Sequence, residues 1–204
     1  MLNQLQKGNN LKKIYRQPVY LVKEDHSKDQ SKAYAELTLD SASDLLRKIR
    51  TFGNINKTHV LTDIGSGNGK LLSHWLTMTE STKAIGVERN KQRCKISKEL
   101  FNEMEGMEGK KCQVINKDVM KYKNFSNVVF FNDLLFDNKA TLHVWDNLKP
   151  DSLFITYKHL LETYPIGTIE LSQNLKFPKI TARIYRKPYF KGGLVSRLGL
   201  LLKD

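Results

Sequence analysis

The chain has 204 residues, 40% of them hydrophobic, with two cysteines and 34 Lys+Arg against 21 Asp+Glu, a formal net charge of +13. That length suits one domain whose core needs no disulfides, and the cysteines, Cys94 and Cys112, have neither the CxxC nor the Cys/His spacing of a zinc site. No apolar run is long enough for a membrane span, and the polar, basic start excludes a signal peptide, which predicts an intracellular protein, nuclear or cytoplasmic and not secreted.

The positive excess gathers near the two ends. Lys7, Lys12, Lys13, Arg16 and Lys23 lie near the start, and Lys176, Lys179, Arg183, Arg186, Lys187, Lys191 and Arg197 near the finish. Such a balance favours polyanionic surroundings, nucleic acid or nucleosomes, reached through the basic termini. A solubilising basic surface explains it equally well.

Residues 1–30 lack a sustained apolar period and are rich in Lys, Asn, Gln and Asp, which predicts a basic, loosely ordered arm or an added peripheral element. Its best candidate for order is Pro18 to Val22. Residues 31–190 form the main domain and 191–204 a basic tail. After Tyr34 to Leu39, Asp40 or Ser41 is placed to cap a helix carrying Leu45, Leu46 and Ile49 on one face and ending near Gly53.

From Thr58 onward strand and helix patterns alternate, as in an α/β sheet of parallel strands. Strands are predicted at 58–64, 83–88, 112–116, 127–132 and 153–157, with helices at 68–79, from 90 through 104, and at 139–148. Two further β-like runs, 168–173 and 180–185, are joined by a short link and suit an antiparallel hairpin. The expected architecture is a Rossmann-like class I methyltransferase fold, with seven strands in a mostly parallel sheet closed by that hairpin and helices on both faces.

The loop Thr62-Asp63-Ile64-Gly65-Ser66-Gly67-Asn68-Gly69-Lys70 joins the first strand to its helix. A dinucleotide fingerprint requires GxGxxG, but the sixth position from Gly65 is Lys70; a Walker A loop fails too, with Ile64 at the upstream glycine position and Leu71 after the lysine. An acid ending a strand ahead of GxGxG remains, the pattern of an S-adenosylmethionine loop.

Ligands of open α/β sheets bind beyond the carboxyl ends of the strands. There the sequence sets Asp63, Glu88, Asp118 and Asn132-Asp133 in succession. Glu88 lies nineteen residues past Gly69, the neighbourhood from which an acid meets ribose hydroxyls. S-adenosylmethionine accounts for the set: Glu88 for the ribose, Asp118 with Val119 or Met120 for adenine, and Asp63 with Gly65, Gly67 and Gly69 for the amino-acid end. The methyl group then points toward Asn132. Direct displacement at a sulfonium needs alignment more than an acid–base pair. No metal is called for.

These stretches resemble the DOT family, the non-SET histone lysine methyltransferases built on the class I fold. Tyr34-Ala35-Glu36 is similar to the family's YGE loop, DIGSGNG to its DLGSGxG, Ile85 to Glu88 to its GxE strand and Lys117-Asp118-Val119 to its GDF. Val129 through Phe136 is similar to VNNxxF, Ile155 through Lys158 to a strand ending in lysine, Gly167 to Ser172 to VELS, and Arg186 to Tyr189 to GKPxxY. The resemblance implies Tyr34, Glu36 and Thr38 beside the cofactor, Asn132, Phe136 and Tyr189 at the methyl-transfer channel, and a histone or nucleosome lysine as acceptor. Four departures stand out: Ala35 for glycine, Lys70 for the usual Gln or Asn, Asp133 for the second Asn, and Ile184 or Tyr185 near the missing channel tryptophan.

Two other functions compete. An RNA 2′-O-ribose (cap-type) methyltransferase needs a Lys-Asp-Lys-Glu set, which Lys32, Asp133, Lys158 and Glu170 imitate. A catalytically silent nucleic-acid-binding module of the same fold would rest on the charge alone.

Overall fold

A computed structural model describes residues 2–16, 36–161, 163–173, 179–189 and 202–203. Pro18 to Val22, Lys32, Tyr34, Ala35, Lys176, Lys191 and Arg197, which the sequence singles out, lie outside these residues.

Alternating apolar runs and amphipathic helices build one seven-stranded sheet in the order β3-β2-β1-β4-β5-β8-β7. The central strands are β1 (Leu61–Ile64), β2 (Lys83–Glu88), β3 (Lys111–Asn116), β4 (Val128–Phe131) and β5 (Leu153–Thr156), all paired in parallel. Among these seven, only β8 (Ile180–Arg186) runs the other way, paired antiparallel with both β5 and β7 (Gly167–Leu171). A short β6 (His159–Leu160) pairs with β9 (Leu202–Lys203) in a separate ribbon. The order reverses between β1 and β4, so a ligand crevice opens beyond the carboxyl ends of those two strands.

Side-chain alternation along the strands divides the core in two. Leu61, Phe130 and Ile155 face a layer formed by α1 (Gln4–Arg16), α2 (Leu39–Arg50), α3 (Lys70–Met78) and α4 (Lys91–Asn102), with Ile14, Leu45, Trp75 and Leu100 buried there. Ile64, Phe131 and Phe154 face α5 (Asn138–Asp146) and the 3-10 turn Val119–Lys121, through Val144, Trp145 and Phe125. Caps fix the helix starts: the Asn90 side chain accepts from Gln92 N and Arg93 N, and Asp137 from Ala140 N. An uncapped start there would cost about 1 kcal/mol. For α2 the cap is Thr38, not Asp40 or Ser41, with its side chain accepting from Ser41 N at 3.2 Å.

Residues 2–16 are more ordered than their composition predicts. Gly8, Asn9 and Asn10 are poor helix formers, yet α1 runs through them. Tertiary contacts decide it. Asn10 Nδ2 donates to Glu105 O at 2.9 Å and its Oδ1 accepts from Glu105 N at 2.8 Å, while Ile14 is fully buried. A two-ended side-chain clamp with a buried anchor outweighs weak intrinsic propensity.

Candidate active site

Gly65, Gly67 and Gly69 all have left-handed φ, of 71°, 53° and 79°, so the chain turns sharply from β1 into α3. Gly69 has a second reason to be glycine: a Cβ there would run into the Ser97 side chain of α4. Beneath the loop, Glu88 ends β2 with its carboxylate held by backbone, Oε2 accepting from Gly67 N at 3.0 Å and Oε1 from Asn90 N at 2.7 Å. Burial pushes this carboxyl above its usual range, opposed by those backbone donors. Each carboxylate oxygen keeps a further lone pair for a ligand hydroxyl.

Asp63 is buried on the face of β1 that looks toward α1–α4, and among the described residues its carboxylate has no hydrogen-bond partner. Burial, and then the charge of Glu88, raise its pKa well above the ordinary carboxylate value. Beside it Lys70, the first residue of α3, meets Glu36 across 2.5 Å, both side chains nearly enclosed. Tyr15, Glu36, Asp63, Gly65, Ser66, Lys70, Phe130 and Asn132 together line one cavity at the carboxyl end of the sheet. The Ser66 hydroxyl, also buried, has no partner there.

Phe136 packs against the α5-side core, its ring 4.7 Å from that of Phe131 and in reach of any Cβ added at the cavity-lining Gly65. Thr38 is occupied by its cap and by donating its N–H to Ser172 O at 3.2 Å, which ties the Glu36 segment to the end of β7. Leu37 bridges Gln173 in the same tie. Asp118 lies further along at the end of β3, exposed, accepting from Met120 N at 2.8 Å, with Val119 buried next to it.

Register separates Tyr189 from this group. Thr156 pairs with Arg183 and Leu153 with Arg186, so β8 runs away from Asn132 and delivers Tyr189, 74% exposed, to the amino ends of the parallel strands. The hairpin approaches the site with its other end, at Leu171 and Ile180. Ile184 and Tyr185 are likewise not channel residues: both are fully buried, Ile184 opposite Ile155 and Tyr185 against Trp145. The basic residues of β8 and its exit are partly spent inside the fold. Arg183 donates to Tyr157 O, Arg186 to Asp151 and Phe52 O, and Lys187 to Trp145 O.

Asn132 and Asp133 are adjacent yet do opposite things. Asn132 lines the cavity, whereas Asp133 is 0% exposed and bound from within, by Thr141 Oγ1 at 2.7 Å, Thr156 Oγ1 at 2.5 Å and Tyr157 N at 2.9 Å. Lys158 Nζ is turned to Phe136 O and Asn138 Oδ1, and Glu170 to Thr181. The Asp, Lys and Glu of the ribose-methylating alternative are therefore engaged in the fold.

A family model described as the histone methylation protein DOT1 matches residues 21–181, well over half of the chain. The chain belongs to this DOT1 family. It is a class I S-adenosylmethionine-dependent methyltransferase, with a protein lysine as the acceptor class. Two features sequence reasoning passes over now join this DOT1-family site: Tyr15, hidden in the arm, and Lys70, visible as a departure but not as the partner of Glu36. A Leu11, Ile14, Tyr15 spacing at i, i+3, i+4 was the available signal for Tyr15.

Solved structures of the same fold include an RNA methyltransferase of Salinibacter ruber in complex with S-adenosyl-L-homocysteine, 16% identical over 71% of this chain and 91% of its own, with a TM-score of 0.57. PH1948 of Pyrococcus horikoshii, named for RNA methylation, is 19% identical over 93% of this chain and 100% of its own, with a TM-score of 0.61. The N-methyltransferase NodS of Bradyrhizobium japonicum is 9% identical over 74% and 96%, with a TM-score of 0.54. Identities this low speak to the fold alone. No curated protein matches the chain by sequence. No helix among the described residues is long and apolar enough to cross a membrane.

Proposed function

We propose that this DOT1-family enzyme methylates a lysine of nucleosomal histone, with the cofactor's amino-acid end between Asp63 and Lys70 and the acceptor amine brought in past Asn132. Asp63 carries the reading: a buried carboxylate without a hydrogen-bond partner among the described residues, raised in pKa by burial and Glu88, is a group waiting for a cation. The ammonium of S-adenosylmethionine supplies one, and Lys70 faces its carboxylate. Glu88 takes the ribose hydroxyls on its free lone pairs; Asp118 and Val119 flank the adenine.

When bound, the cofactor supplies a sulfonium-activated methyl group. The chain's own residues do the rest. Asn132 orients the acceptor amine, and Phe136 on Phe131 forms a dry aromatic wall. A lysine ammonium, with an ordinary pKa of about 10.4, must shed a proton before it attacks, and apolar walls favour its neutral form. Tyr189 is left out of this set, for the register sends it to the far end of the sheet. Asp133, enclosed and bonded by two threonines and a backbone amide, does not support proton abstraction from a ribose hydroxyl.

Charge favours the nucleosome over a free histone. A chain of +13 is repelled by a basic tail but drawn to the DNA wrapped beside it. Incubation with methyl-labelled cofactor and, separately, nucleosomes, free histones and capped RNA tests the proposal. Label is expected on histone lysine in nucleosomes. Label in RNA only would overturn it.

A further inference from the structure

We infer that α1, which precedes the stretch matched by the family model, completes the cofactor pocket of this chain, with Tyr15 walling the amino-acid end and His74 holding Tyr15 in place. The inference rests on the reading that this end lies beside Asp63 and Lys70.

Tyr15 lines the same cavity as Glu36, Asp63 and Lys70 although it stands 48 residues before Asp63 in sequence. Its hydroxyl lies 3.1 Å from His74 Nδ1, and the two rings meet edge to face at 5.7 Å. His74 follows Lys70 by one helical turn on α3, so both project from one face of that helix. The other ring nitrogen of His74 faces Ser43 Oγ at 3.5 Å. Burial drives the pKa of His74 down to about 4, so at neutral pH the ring is uncharged and has one acceptor and one donor nitrogen. Whichever ring nitrogen carries the proton, Nδ1 engages Tyr15 and Nε2 faces Ser43, so the Tyr15 hydroxyl is committed to the protein. What the pocket receives is the face or edge of the ring.

The helix that delivers the ring is built for a fixed position. Lys13 donates to Glu103 O at 2.8 Å, in addition to the Asn10 clamp on Glu105, and a Cβ at Gly106 would collide with Leu2 and Gln6 of the α1 segment. Burial of Tyr15, with the Glu36 charge nearby, pushes its phenol well above the ordinary value, so it remains a neutral wall beside the Lys70–Glu36 pair.

Equilibrium binding of S-adenosylhomocysteine and of 5′-methylthioadenosine, which lacks the amino-acid arm, tests this on the full chain and its Tyr15→Ala, Tyr15→Phe and Asp63→Asn variants. Tyr15→Ala is expected to weaken S-adenosylhomocysteine by about tenfold, and Tyr15→Phe by a smaller factor through loss of the His74 anchor, with 5′-methylthioadenosine unchanged for both. If Tyr15→Ala fails to fold, Tyr15→Phe, which keeps the packed ring, decides by the same difference between ligands. Equal losses for both ligands, or none for either, overturn the inference. An Asp63→Asn protein that binds S-adenosylhomocysteine normally removes the amino-acid-end reading and the inference with it. Asp63→Asn weakened while both Tyr15 variants bind normally overturns the Tyr15 inference alone.

Discussion

Lys70 Nζ and Glu36 Oε2 meet at 2.5 Å with side chains only 6% and 5% exposed, so the cavity at the carboxyl end of the sheet is built around a desolvated ion pair. Removing one partner of such a pair takes away the other's buried counter-charge. Lys70→Met should destabilise the protein by about 3–5 kcal/mol. In a chain of this size that lowers Tm by roughly 10 °C. Glu36→Gln added to Lys70→Met should recover much of the loss, because both buried charges are then gone. Denaturant unfolding of the two single variants and the double variant measures the coupling. Additive losses would mean the pair is not coupled.

Asp63 should link stability to cofactor binding in opposite senses. Its folded pKa is raised, so the ligand-free native state holds a proton that the unfolded chain has released. Stability conferred by this group is thus present at low pH and is lost as pH rises from about 4 toward the raised value. Asp63→Asn removes that loss. The ligand-free variant should melt higher than wild type at neutral pH, by about 2–4 °C for each ~1 kcal/mol recovered, and lose its advantage toward pH 4. Its affinity for S-adenosylhomocysteine should fall. Calorimetric melts across pH, with and without ligand, check both signs.

The layout of strands and acids is legible because β1, β2 and β4 are short, mostly apolar runs with Asp63, Glu88 and Asp133 at or just past their carboxyl ends; β2 is read from Lys83 to Glu88 to the residue. Elements that depend on distant partners are not. α1 is poor in helix formers and owes its order to Glu105, some 95 residues away. Tyr189 goes astray for a related reason: the RKPY stretch carries the right residue types, but only the pairing of Arg186 with Leu153 reveals which end of the sheet it reaches. Composition likewise counts Arg183, Arg186 and Lys187 with the surface cations, whereas Arg183 and Lys187 hydrogen-bond carbonyls of the fold and Arg186 pairs with Asp151.

Asn132 and Asp133 should separate cleanly on mutation. Asn132→Ala touches a cavity-lining side chain and is expected to lower turnover by about 10²-fold or more, as for a lost positioning group, with little change in Tm. Asp133→Asn instead breaks up a buried set of three hydrogen bonds and should cost about 1–3 kcal/mol of stability, with turnover per folded molecule largely kept. Methyl transfer measured beside thermal unfolding distinguishes them. An inactive but fully stable Asp133→Asn would favour ribose chemistry.

Gly69 combines a φ of 79° with a Cβ position blocked by Ser97. Gly69→Ala should therefore destabilise by about 1–3 kcal/mol and weaken the cofactor through the displaced loop. Ser97→Gly in that background removes the collision but not the left-handed strain, so recovery should be partial. Full recovery in unfolding experiments would assign the whole cost to packing.

Nucleosome engagement should depend on salt through particular side chains of α1. Lys12 and Arg16 are exposed, whereas Lys13 is tied to Glu103 and Glu105. Each phosphate contact contributes about 0.9 to the slope of log affinity against log salt, so Lys12→Gln with Arg16→Gln should flatten that slope by up to roughly 1.8. S-adenosylhomocysteine affinity should not move, since neither residue lines the cavity. Lys13→Gln should act differently, loosening α1 on its clamp. Titrations of nucleosomes at several salt concentrations read the slope directly. An unchanged slope in the Lys12/Arg16 variant would move the polyanion contact away from this helix.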